Sequence, residues 1–279
     1  MYFKQLFFSF FRKEKVFIFI GILILLNISL FIVYQQSLFS HDGYSQVYPN
    51  AGLEFFYYIH SIGITPYHFI CMMLLLPNIV SCDFLTTYIS HHHYSIETRI
   101  SKKTYFLYIY FINFILTILV VSIFEIIILL IIHYFYSPIH FNTMVYPEMY
   151  YATTQLLFKN EFYNLIFFII LTSLGYGIVS TLLFSFQTFI NNPYVYRCSG
   201  VLIGIFLILI PALINKALPI YSMAYLLQIN NLICLGIEGF DEIPFQLSYW
   251  MIYLITFMIY TLCAWGSFQY MYKWRLKND

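Results

Sequence analysis

Residues able to do chemistry are scarce in this chain of 279, and many of them crowd into SHHHYSIETRISKKTYF at positions 90–106. The stretch holds three consecutive histidines, His91, His92 and His93. Glu97 follows four residues later, with Arg99, Lys102 and Lys103 close behind. Imidazole and carboxylate are donor types that hold transition metals. The spacing argues against such a site: on a helix, successive side chains point about 100° apart, so one ion cannot collect three in a row without irregular backbone. There is no HExxH anywhere in the chain. A solvated or partner-facing loop is expected there, and no metal.

The second candidate is Glu125, the one carboxylate well inside an apolar run, VSIFEIIILLIIH. An ionised carboxylate in hydrocarbon costs several kcal/mol, so it must face the interior of a bundle, find a partner or be protonated. A polar contact in a substrate path, or a coupling point between moving helices, is one reading. A structural hydrogen bond to a Ser, Thr or Asn of another helix is the other. Nucleotide chemistry is excluded by the phosphate-cradling route, because none of the eleven glycines is followed by lysine and GxxxxGK[ST] is missing. No GxSxG elbow occurs either, so enzymatic activity of the chain itself is not expected. Cys71, Cys82, Cys198, Cys234 and Cys263 form no CxxC and read as packing residues in apolar runs.

The elements that carry these residues follow from composition. Hydrophobic residues make up 61% of the chain, charged residues 9%, and the mean hydropathy is +0.78, which a water-soluble domain does not show. An all-α polytopic membrane protein is expected, folded as a single domain over 1–279. Six stretches reach the roughly 20 apolar residues that a helical crossing requires: 16–34, 66–82, 105–136, 162–190, 198–215 and 245–272. Eleven of the thirteen Lys and Arg residues fall before span one, between spans two and three, between spans four and five, or after span six. Only Lys159 and Lys216 fall in the other connections, so the positive-inside rule puts both termini and the histidine loop in the cytoplasm. In residues 1–15, Lys4, Gln5, Ser9, Arg12 and Lys13 fall on one side of a helix with Phe3, Phe7, Phe10 and Phe11 around the rest, as in a helix lying in the membrane interface, although a plain basic lead-in to span one has the same composition. The connection 216–244 is apolar but broken by Pro219, Asn230, Asn231 and Gly236, which suits a re-entrant helical hairpin. Gly200 and Gly204 form a GxxxG, expected to pack within the bundle. Pro77 and Pro211 are expected to kink spans two and five.

Several of these features occur together in a known family. LLLPNIVSCDF ends span two with a Pro and then an Asp, and SIETRISKKTYF leads into a long span three. The arrangement resembles the permease subunit of type-2 ATP-binding-cassette (ABC) exporters, in which a Pro, then an Asp, then an Arg-x-Ser-Arg/Lys stretch occupy this region. Pro77, Asp83, Arg99, Ser101, Lys102 and Lys103 stand in those places. The chain departs from the pattern after the Asp, where Thr86, Thr87 and the histidine run replace the acidic residue and Gly common in the family.

The resemblance implies a cytoplasmic coupling helix within 83–104 that rests on a separate ABC ATPase. Asp83, Tyr94, Ile96, Glu97, Arg99, Ile100, Lys102 and Lys103 would be the docking residues. It further implies a bacterial plasma-membrane location, pairing with a second copy or a homologous permease, and contact with membrane lipid rather than nucleic acid. ATP and Mg would be bound by the ATPase and no cofactor by this chain. The cargo would be hydrophobic or amphipathic, such as an antimicrobial or other peptide or a lipid-like molecule. The rival expectations are a membrane regulator or scaffold that moves nothing, and an intramembrane enzyme built on His91 to His93 or Glu125.

Overall fold

The computed structural model describes residues 13–37, 51–63, 65–90, 101–141, 158, 160–190, 192–217, 221–235 and 247–278. Every element among them is helical, as lipid requires of a chain whose backbone polar groups must be satisfied internally. In chain order the helices are α1 (Lys13–Gln36), α2 (Ala51–Tyr58), α3 (Tyr67–Ile79), α4 (Ser81–Ile89) and α5 (Lys102–Ile131). A π-helical turn, Ile132–Tyr136, extends α5. Then come α6 (Glu161–Ser185), α7 (Pro193–Ala217), α8 (Tyr221–Leu226), α9 (Asn230–Ile233) and α10 (Tyr249–Asn278).

Six helices are long and apolar enough to cross a membrane: α1, α3 with α4, α5 with its π turn, α6, α7 and α10. The chain is therefore a multi-pass membrane protein, and each crossing overlaps a stretch expected from hydropathy. The combined α3–α4 crossing and α6 are the buried helices, whereas α1 and α7 keep most of their surface outward. α3 contacts α1 on one side and α7 on the other, and α6 contacts both α5 and α10. The outward residues are large and apolar, among them Phe17, Phe31, Leu202, Phe206 and Leu262, the surface expected of helices solvated by lipid.

Helix starts follow local chemistry. Asn160 Oδ1 accepts hydrogen bonds from the amides of Phe162 and Tyr163 and caps α6. Asn192 does the same for Tyr194 and Val195 ahead of Pro193, whose fixed φ suits the first helical position. Pro211 is accommodated inside α7 without ending it. Pro77 also lies within a helix, but the second crossing breaks three residues later at Val80, whose φ of −134° and ψ of −41° separate α3 from α4.

A broken helix in lipid leaves carbonyls that need donors. Here Lys15 Nζ donates to the Ile79 carbonyl, and Gln187 Nε2 donates to that of Ser81 at 2.6 Å. Lys15 also pairs with the Asp83 carboxylate, and Arg275 Nη2 donates to the Gln187 carbonyl at 3.3 Å. These groups gather at the end of the bundle where α1 and α7 begin and α4 and α10 finish, here termed the basic end. Deeper in, Ser81 Oγ donates to Asn113 Oδ1 (3.1 Å), Asn113 Nδ2 to Ser180 Oγ (2.9 Å), and Thr117 Oγ1 to Ser180 Oγ (3.1 Å). That closed network joins α4, α5 and α6.

The GxxxG seam is internal. A Cβ at Gly200 would strike the Met73 carbonyl, and one at Gly204 would lie 2.9 Å from Phe69 Cζ, so both glycines face α3. α8 and α9 pack against α10 and α6, whose side chains cover their carbonyls. Thr256 Oγ1 bonds Leu226 O (2.8 Å), Tyr260 OH bonds Leu227 O (2.9 Å) and Thr172 Oγ1 bonds Ile233 O (2.8 Å). The interfacial helix expected over 1–15 falls almost wholly outside the described residues, as do 218–220 and 236–246 of the fifth connection.

Candidate functional site

The most concentrated chemistry among the described residues lies toward the other end of the bundle. Glu125 is 23 residues along α5 from Lys102, a rise of about 34 Å. It is fully buried, yet its partners are neither Ser, Thr nor Asn. They are His60 and His68, both also buried.

The short segment HSIGITPYH brings the two rings together. After α2, the amides of Ile59 and His60 still bond helically back to Phe55 and Tyr57, so His60 leaves the end of that helix pointing inward. Thr65 Oγ1 then bonds the carbonyls of Tyr58 (2.8 Å) and Ser61 (3.0 Å), closing the turn. Pro66 precedes α3 with φ of −68°, already suited to a helix start, and places His68 in the first turn. The two imidazole rings end 4.1 Å apart between centroids. Phe56 and Phe168 stand beside His60 at 4.7 and 5.1 Å, forming apolar walls.

Hydrogen-bond chemistry constrains the protons. His60 Nδ1 lies 2.7 Å from the Phe56 carbonyl, which can only accept, so Nδ1 carries a hydrogen. In neutral imidazole, His60 Nε2 then presents a lone pair to Glu125 Oε2 at 2.9 Å. On the other side, His68 Nε2 and Glu125 Oε1 are 3.3 Å apart, and neither atom has a hydrogen-bond partner among the described residues. Three donor groups thus converge, with their ligating atoms all within 4.8 Å of one another. They can share protons or hold a cation.

An acidic pair sits nearby. Glu54 on α2 and Glu161 at the start of α6 are both buried. Burial, and then the neighbouring Glu161 charge, push the Glu54 carboxyl up to about 7. Burial also raises the Tyr57 phenol, which accepts a 3.4 Å bond from Asn164 Nδ2.

Comparison with family models, curated proteins and solved structures finds no match to this chain.

The expected docking residues are distributed differently. Asp83 is half-buried in the first turn of α4, paired with Lys15. Lys102 and Lys103 open α5 behind Ser101, whose Oγ accepts the Thr104 amide at 3.2 Å; Lys103 is exposed. Tyr94, Ile96, Glu97, Arg99 and Ile100 lie outside the described residues, as do His91, His92 and His93. His60 and His68 carried no motif in the sequence, because eight residues separate them and Glu125 follows 57 later. The usable signal was two histidines bracketing a Gly-x-Thr-Pro turn, in a connection devoid of Lys and Arg.

Proposed function

We propose that this chain is the membrane-spanning permease subunit of an ABC exporter, driven by a separate ATPase that docks at the basic end. The observation that carries the reading is how the second crossing finishes there. Its last helix, α4, leads directly toward the 91–100 loop and is bound by Lys15 to α1. Gln187 ties the same break to the segment after α6, and Arg275 of α10 lies 3.9 Å over the Tyr88 ring of α4. A push on the loop would therefore reach several crossings together.

Two further features support it. The sequence contains no phosphate-cradling loop, and on this reading the partner ATPase supplies the energy for transport. The carbonyls of α8 and the turn after it are covered by side chains of α10, including Tyr260, which lies about 17 Å along that helix from Tyr249. Such cover suits a hairpin dipping into the bilayer between spans five and six. On this reading both termini are cytoplasmic, two permeases pair, and the cargo is hydrophobic or amphipathic.

The test is co-expression with the neighbouring genes. The tagged chain is expected to retain an ABC ATPase through purification, and Arg99→Glu to weaken that retention. A chain that retains no ATPase, with Arg99→Glu changing nothing, overturns the proposal.

A further inference from the structure

We propose that His60, His68 and Glu125 form a binding site for a divalent first-row transition cation, with Zn2+ the ion that best suits two imidazoles and a carboxylate. The site would pin the turn between α2 and α3 to α5. Three observations converge on it.

The donor set is two histidines and one glutamate, all buried, drawn from three separate places in the chain. Metal bonds of about 2.0–2.2 Å at tetrahedral angles set donor atoms roughly 3.4 Å apart. The observed separations of 2.9 and 3.3 Å between the histidine nitrogens and the two carboxylate oxygens need only a small opening to admit an ion.

Orientation comes next. Metal-bound histidines almost always donate their second N–H to a carbonyl or carboxylate, which fixes the tautomer. His60 has that arrangement, with Nδ1–H on the Phe56 carbonyl and Nε2 turned toward Glu125.

Finally, His68 Nε2 and Glu125 Oε1 face each other as buried atoms 3.3 Å apart, an ion-pair contact that is not a well-formed hydrogen bond. Protons can occupy both contacts: His68 with its hydrogen on Nε2 donates to Glu125 Oε1, and one proton shared by His60 Nε2 and Glu125 Oε2 completes the other pair. One cation reaches all three groups at once. Thr65 holds the turn, and the Phe168 ring stands edge-on 5.1 Å from that of His60.

The site stands apart from the ABC reading, since α4 ends and α5 begins at the opposite end of the bundle. The experiment uses the full chain with a tag that contains no histidine, in a His91→Ala, His92→Ala, His93→Ala background that removes the loop's own imidazoles. After exposure to Zn2+ and dialysis against a weak chelator, metal is measured by elemental analysis. Roughly one Zn2+ per chain is expected in the parent, with retention falling to background in His68→Asn and in Glu125→Gln. A parent that retains no Zn2+, or variants that retain as much as the parent, overturn the site. Should the variants fail to fold, Co2+ titration of the parent decides. Visible d–d absorption of four-coordinate Co2+, abolished by excess Zn2+, supports the site, and its absence sinks it.

Discussion

Replacing Gly200 by Ala probes how closely α7 approaches α3. The Ala Cβ would collide with the Met73 carbonyl oxygen and lie 3.0 Å from Pro77 Cγ. Met73 O is the carbonyl that Pro77, four residues on, cannot bond because it has no N–H. Neither neighbour is a yielding side-chain tip, so the helices must part. Gly21 in α1 is the internal control, with nothing within 4 Å of its added Cβ. Gly21→Ala gains helix propensity of up to about 1 kcal/mol without obstruction. Gly200→Ala gains the same and then meets an overpacking cost of typically about 1–3 kcal/mol, more where backbone must move. A net loss of up to about 2 kcal/mol, more where the backbone moves, lowers Tm by several degrees in a chain of this size. Gly204→Ala should fall between the two, because it meets the Phe69 Cζ and Met73 Cε tips. Thermal unfolding in detergent, followed by reaction of buried Cys71 and Cys234 with a thiol dye, ranks the three. If Gly200→Ala melts level with Gly21→Ala, α7 does not press on α3 and the GxxxG faces something else.

Lys15→Met leaves the Asp83 carboxylate without its ion-pair partner and the Ile79 carbonyl without that donor. A loss on the order of 3 kcal/mol is expected, most of it recovered in Lys15→Met/Asp83→Leu, and a double-mutant cycle of melting temperatures checks the coupling. Glu54 has its folded pKa raised from 4.5 to about 7, so its contribution is fully present below the unfolded value and is lost as pH rises through 7. That loss is at most about 3 kcal/mol. The Tm of the wild type should therefore fall from pH 5 to pH 8, and Glu54→Gln should flatten the profile; parallel curves refute the assignment.

The membrane fold was legible because the bilayer imposes a length on each apolar run, and all six crossings could be read from hydropathy alone. What could not be read was the break at Val80. Pro77 announces a weakness in the second crossing, but the chain continues helically for two residues beyond it. The interruption comes where Lys15 and Gln187, from distant segments, can cap the exposed carbonyls. Glu125 was legible as an expensive residue in need of company. Its company was not, since His60 and His68 meet it only through the tertiary turn at Thr65 and Pro66.

Most polar side chains inside this bundle repair backbone. Lys15 and Gln187 serve the break between α3 and α4, Thr65 serves the end of α2, and Thr172, Thr256 and Tyr260 serve α8, α9 and the turn between them. Asn113 repairs none, but both ends of its amide are satisfied, by Ser81 and Ser180, which is what helix-joining polar residues in lipid achieve. Glu125 and His68 differ, since Glu125 joins α5 to the turn between α2 and α3 through His60 at 2.9 Å and pairs with His68 at 3.3 Å. They bond no backbone group among the described residues, and each leaves an atom buried without a hydrogen bond. A membrane protein that only needed to fold would do better with Gln or Leu at position 125, since an ionisable residue there adds desolvation cost and returns no structural contact that an amide could not make. The three side chains tie α5 to the turn between α2 and α3 at the end of the bundle away from the basic residues, and the Zn2+ measurement on Glu125→Gln tests what the ionisable choice at 125 adds.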